Sequence, residues 1–245
     1  MSGNTRRSPE RHCIARDKSL PDGGEAAQTG AREHIHMAES NIWRIALILS
    51  AVFLTALMLM HPSGTQAAAD AHRIVLPGRF VHAGAIAAEI LIMFGVVGLC
   101  FRLGITRTWV VFGLVAFLFA AVALMVAASI NGFVAPKLMK ALETHKLEEA
   151  QVIAVSSFGW WLNQTLANIA AFATSTAILS WAIAWPSGGI RAWVVRVAAL
   201  GAGIVPPVLL AGPFITMDVH GAALVALMQN LWLVLAALLT PKAEG

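Results

Sequence analysis

The sequence predicts an all-α fold: a six-transmembrane-helix bundle, polytopic in the membrane, behind a disordered N-terminal tail. Composition points there first, because 58% of the 245 residues are hydrophobic and only 12% are charged. Soluble domains average about 45–50% apolar and about 25% charged. Mean hydropathy, at +0.73, agrees. Apolar runs of roughly 20 residues recur along the chain, the length a helix needs to cross about 30 Å of hydrocarbon. Basic and aromatic residues gather at the ends of these runs, as they do at membrane–water interfaces.

Residues 1–40 are rich in Arg, Ser, Gly, Glu and Pro and show no apolar period, so they read as a disordered tail. Met37 opens the stretch MAESNIWRIALILS, an ordinary beginning for a membrane protein. Residues 1–36 are therefore either a tail or an extension upstream of a start at Met37. The transmembrane domain spans 41–240. Its first apolar run, about 42–60, stops at His61-Pro62-Ser63-Gly64. Arg44 before that core and Ala67-Ala68-Ala69 after it also resemble a secretory signal peptide, but the core is long and the small residues distant, which favours a retained helix.

The second span, about 80–101, lies between Arg79 and Arg102, and the third, about 109–130, is expected to end at Asn131-Gly132. Lys137 to Glu149 mixes charges with Leu138, Leu142 and Leu147, a pattern for a short interfacial helix whose lysines snorkel. Trp160 and Trp161 at one end and Trp181 and Trp185 at the other place the fourth span at 160–185, with all four rings expected at the headgroup level. The fifth, about 193–210, contains Pro206-Pro207, which should kink or end it. The sixth runs about 219–239.

Six spans put both termini on one side. Arg44, Arg102, Arg107, Arg191, Arg196 and Lys242 fall near the membrane on that side, and Arg73, Arg79, Lys137, Lys140 and Lys146 on the other. The balance is close, but the short, acid-free connections at Arg102, Arg107 and Arg191 assign both termini to the cytoplasm of a cell-membrane protein. The partner this implies is the lipid bilayer, with other membrane subunits open. The net charge of +4 then reports topology and not nucleic-acid binding. Cys13 and Cys100 imply no disulfide framework. Walker, Rossmann, CxxC, HExxH and serine-nucleophile motifs in credible context are absent, which argues against an enzyme.

Chemistry-bearing residues concentrate in two groups. Val81-His82-Ala83-Gly84-Ala85 is echoed by Val219-His220-Gly221-Ala222-Ala223, so His82 and His220 are expected at one depth on two helices, placed to clasp haem b or copper. His61, His72, Met60 and Met217 fall at the same end and extend this into a candidate metal set, with imidazole and thioether donors suited to copper. The second group centres on Glu89, seven residues after His82, hence on nearly the same face and about 10 Å deeper. An ionised carboxylate there costs several kcal/mol, so the neutral acid is expected, hydrogen-bonded to Asn168 or Gln229, with Gln164 nearby. That group suits a proton-coupled path for a small solute. Interhelical polar contacts in a non-catalytic assembly subunit are the third reading of the same residues.

The topology generates the first prediction. Cysteines introduced near Thr65 and Thr144 should react with a membrane-impermeant thiol reagent added outside intact cells, and cysteines at Thr106 and Ser187 should not. Reaction at Thr106 from outside would invert the orientation.

Overall fold

A computed structural model describes residues 41–61, 71–186 and 188–241. Among them every regular element is helical: α1 (Ile42–Leu59), α2 (Ala71–Leu103), α3 (Thr108–Ser129), a π-helical turn (Ile130–Val134), α4 (Ala135–Glu143), α5 (Glu149–Ala184), α6 (Gly189–Ala211) and α7 (Val219–Leu239). Six stretches within the described residues are long and apolar enough to cross a membrane: Ile42–Leu59, Gly78–Leu103, Thr108–Glu143, Glu149–Ala184, Gly189–Ala211 and Val219–Leu239. The chain is thus an integral membrane protein of the expected class. Its surface agrees, since Ile45, Leu49, Phe119, Val122, Leu200 and Leu231 point outward, where only lipid would welcome them.

The helices close a ring. Each of α1, α2, α3, α5, α6 and α7 packs against the next, α7 returns to α1, and a lesser α5–α7 contact crosses the middle. Backbone approach is closest where side chains vanish. A Cβ on Gly95 would lie 2.6 Å from Leu47 Cβ and one on Gly98 2.4 Å from Trp43 Cβ, so α1 and α2 meet only because both positions are glycine.

Several element boundaries differ from the sequence expectation, each for a physical reason. Asn131-Gly132 does not end α3; the chain passes through the π turn into α4, and the expected interfacial helix is a continuation of α3. Gly132 permits this because a Cβ there would sit 2.5 Å from His82 Cβ on α2. Helix α5 begins at Glu149, eleven residues before Trp160, where a reciprocal cap joins the Glu148 and Gln151 side chains to each other's backbone. At 36 residues it is about 54 Å long, well beyond the hydrocarbon. Pro206 and Pro207 lie inside α6, which continues to Ala211. Pro206 cannot donate to Ala202, and the Ser175 hydroxyl of α5 bonds that carbonyl instead, at 3.5 Å.

The two ends of the ring are filled differently. At the end bearing the start of α1 and the finish of α7, Trp43, Leu47, Leu99, Leu103, Val110, Trp181, Trp185, Val195, Trp232 and Leu233 form one continuous core. The Trp181 and Trp232 rings stack with centroids 6.0 Å apart and 13° between planes, and Trp185 meets Trp232 edge-on. Both stacked indoles also satisfy their N–H groups, Trp181 on the Val110 carbonyl and Trp232 on that of Val195. Trp181 and Trp185 are therefore not the lipid-facing interface rings that the sequence suggested. Their spacing from Trp160 matched a bilayer, but they face inward and are buried, while Trp160 and Trp161 are exposed.

Removing one ring of the stack should be costly. Trp232→Ala is expected to lower unfolding stability by about 3–5 kcal/mol, whereas lipid-facing Trp193→Ala should change it by less than about 0.5 kcal/mol. Thermal unfolding of the purified variants in one detergent measures the difference, and similar losses for both would mean that the indole stack is not the core of this end.

Candidate functional site

The opposite end of the ring is hollow. A cavity of about 600 Å³ opens there, walled by α1, α2, α3, α5 and α7 and by residues 217–218 before α7. That volume falls within the range of about 300–1,000 Å³ typical of small-molecule sites. Its walls are mainly apolar, through Leu54, Val81, Ile86, Leu124 and Val225, with polar groups placed among them. Asn131, Asn163, Gln164 and Gln229 contribute amides, Thr174 a hydroxyl, His61 and His82 imidazoles, and Glu89 and Asp218 carboxyls. No Lys or Arg lines it among the described residues.

Glu89 sits on the second turn of α2 beyond His82 and is 4% exposed. Among the described residues no hydrogen bond reaches its carboxyl, although the side chain lines the cavity. The partners expected from sequence are arranged otherwise. Gln229 lines the cavity too, but its Nε2 donates to the Ala171 carbonyl at 2.9 Å and to the Ser175 hydroxyl at 3.0 Å, which ties α7 to α5. Ser175 passes this linkage on to the Ala202 carbonyl below Pro206. Gln164 is in the wall. Asn168 is not: with Thr165, Phe172 and Thr176 it lines a separate groove against Phe119 of α3. Four residues separate Gln164 from Asn168, about 400° of helix, and the 40° excess carries Asn168 from the cavity side towards α3.

At the other level of the cavity, His82 is buried and turned towards α1. Its Nδ1 lies 2.6 Å from the Gly78 carbonyl one turn earlier, which assigns the ring proton to Nδ1 and leaves Nε2 with a lone pair. That Nε2 lies 3.4 Å from Nε2 of His61, and the two rings meet edge-on with centroids 5.1 Å apart. The structure thus joins His82 with His61 and not with the expected partner. His220 is exposed and absent from the cavity wall. Its first-turn position on α7 is set by Asp218, whose carboxylate accepts from the His220 and Gly221 amides and from the Thr216 hydroxyl. The Gly221 amide, chief among these donors, holds the Asp218 carboxyl below its usual range.

The remaining metal candidates divide. Met217 is buried and lines the cavity, but Met60 is 68% exposed and does not; the thioether in the wall from α1 is Met58, one turn before His61. The side chain of His72 lies outside the described residues. Among the described residues no three His, Cys, Asp or Glu side chains converge as metal ligands. Sequence reasoning gave His61 only an assisting role beside a His82–His220 pair, whereas the structure makes it the direct neighbour of His82; the signal for this is the position of His61 just after α1. The π turn also escaped it, and this places Asn131 in the wall where a helix of regular pitch would shift it.

Comparison with protein-family models, with curated proteins and with solved structures finds no match for this chain. The functional reading therefore stands on the cavity itself.

Proposed function

We propose that this membrane protein is a carrier for a small, positively charged or donor-rich solute, which occupies the cavity against Glu89 and exchanges with a proton there. One observation carries the reading: a carboxyl group almost fully buried, facing a cavity of ligand size, with no hydrogen-bond partner among the described residues. A buried polar group without a partner costs about 1–3 kcal/mol. Ionisable residues at membrane depth that face a cavity typically mark a solute or proton path. A proton, water or a cationic ligand would each supply what the surrounding side chains do not.

The wall sets the sign of the solute. Its fixed acids are Glu89 and Asp218, and no Lys or Arg offsets them, so an anion would meet repulsion and a cation attraction. Asn131, Asn163 and Gln164 offer amide oxygens and N–H groups for orientation. Movement across the membrane requires the opposite end to open. The aromatic core fills that end, which fits a state with the site closed off from that side. An alternating carrier needs such a state and a second one in which the core parts.

The test uses purified protein in detergent and in liposomes. Thermal unfolding is measured against small ammonium and guanidinium compounds and against carboxylates of matched size. A cation at a hundredfold excess over its Kd should stabilise the wild type by about 2.7 kcal/mol. It should leave Glu89→Gln unshifted, and its binding should weaken as pH falls, because the proton competes for the same carboxyl. In liposomes holding a pH-sensitive dye, that cation should drive proton movement through the wild type and none through the Gln variant. If Glu89→Gln and Glu89→Leu match the wild type in ligand response and proton movement, the carrier reading fails.

A further inference from the structure

At the mouth of the same cavity, and without use of Glu89, the geometry points to a second function: we propose that His61 and His82 are two ligands of a single soft transition-metal ion, of the copper(I) class, with thioether sulfur from the cavity wall.

At 3.4 Å the Nε2···Nε2 contact is at the long limit for a hydrogen bond. It is the edge expected of two ligands on one ion. Metal–nitrogen bonds of about 2.0 Å that span 3.4 Å enclose an angle of about 116°, between tetrahedral and trigonal. A haem clasped by the same nitrogens would need them in line through the iron, about 4.0 Å apart at that bond length, with the macrocycle between the rings. The observed edge-on approach, with centroids 5.1 Å apart, leaves no such plane.

The hydrogen bond behind His82 points the same way. Metal-bound histidines characteristically donate the far ring N–H to a carbonyl or carboxylate, which fixes the tautomer and aims the free nitrogen. Here Nδ1 donates to the Gly78 carbonyl at 2.6 Å, and Nε2 faces His61. Gly132 contributes to the aim, since its missing Cβ leaves the 2.5 Å clearance into which His82 Cβ fits.

The nearby donors complete the set. Met58 precedes His61 by three residues, one helical turn, and Met217 is buried in the same wall. Imidazole suits zinc as well as copper, but the thioether donor favours copper(I), and magnesium and calcium take oxygen donors instead. With no third His, Cys, Asp or Glu converging among the described residues, sulfur is the available complement.

The experiment titrates the purified full-length protein in detergent with copper(I) under ascorbate, in competition with the chelator bathocuproine disulfonate, and follows with elemental analysis and copper K-edge absorption. One copper per chain is expected, with nitrogen at about 2.0 Å and a sulfur scatterer in the first shell. His61→Ala and His82→Ala should each weaken binding roughly a hundredfold or more, beyond the 10–100-fold typical of losing an outer partner. Met58→Leu should lower it and remove sulfur signal, and His220→Ala should leave it unchanged. The wild-type titration needs no variant to fold, so a chain that retains no copper overturns the proposal outright. So does copper bound with wild-type affinity by the folded His61→Ala and His82→Ala proteins, or a Soret band in the purified wild type, which would assign the histidines to haem. Glu89→Gln separates this proposal from the carrier reading: it should keep the copper while losing the solute response.

Discussion

Two stacked indoles, Trp181 from the end of α5 and Trp232 from the end of α7, fill the centre of the helical ring at one end, and the shape of the other end follows from this. A ring of six helices encloses more volume than backbone contact alone can fill. Indoles occupy it at one level, each burying a large apolar area with its N–H satisfied on a neighbouring carbonyl. Around them the cations face outward to the chain's own carbonyls: Arg107 to Ala184, Arg196 to Trp185, Arg44 to Thr240 and Arg102 to Pro241. With α5 and α7 held there, small residues such as Ala167, Ala170, Ala171 and Ala222 fall at the other level, too small to fill it. The cavity is the space that no side chain occupies.

A polar chain ties the two levels together. Pro206 frees the Ala202 carbonyl, Ser175 caps it, and Gln229 bonds Ser175 and the Ala171 carbonyl, so α5, α6 and α7 share one buried linkage. Asn230 extends this from α7 to Thr55 of α1. In hydrocarbon such groups have no water to turn to, so each needs its protein partner. Glu89 stands outside the linkage. It is the ionisable group most deeply buried in the cavity wall, and that is the reason to treat it as a site and not as another interhelical contact.

The fold class was legible in the sequence because it rests on length and polarity alone, and these act over whole segments. The end at which Glu89, His61, His82, Gln164, Gln229 and Met217 gather was legible too, from depth counted in residues along each span. Direction around a helix was not. Asn168 shares a depth with Glu89 yet lines a different groove, and His220 mirrors His82 in local sequence yet remains exposed. Both positions depend on how neighbouring helices rotate to bury larger groups. The inward turn of Trp181 and Trp185 has the same origin: a tryptophan near a membrane boundary satisfies the interface rule whether it faces lipid or the bundle, and contacts between helices, such as Gly113 and Trp232 against Trp181, hold the ring inside. Pro206-Pro207 looked like a break because the compensating hydroxyl lies on another helix, 31 residues earlier in the chain.

One level of this bundle is a solvent-reachable hollow and the other a solid core. Thr174 and Ala236 test it well, because both are buried in the bundle interior, one in the cavity wall and the other in the aromatic core. In a Cys13→Ser, Cys100→Ala background, Thr174→Cys and Ala236→Cys are treated in turn with a small water-soluble methanethiosulfonate. Rapid modification of the cysteine at 174 and none at 236 is the result the structure predicts. Equal reactivity at both, or none at either, would contradict it.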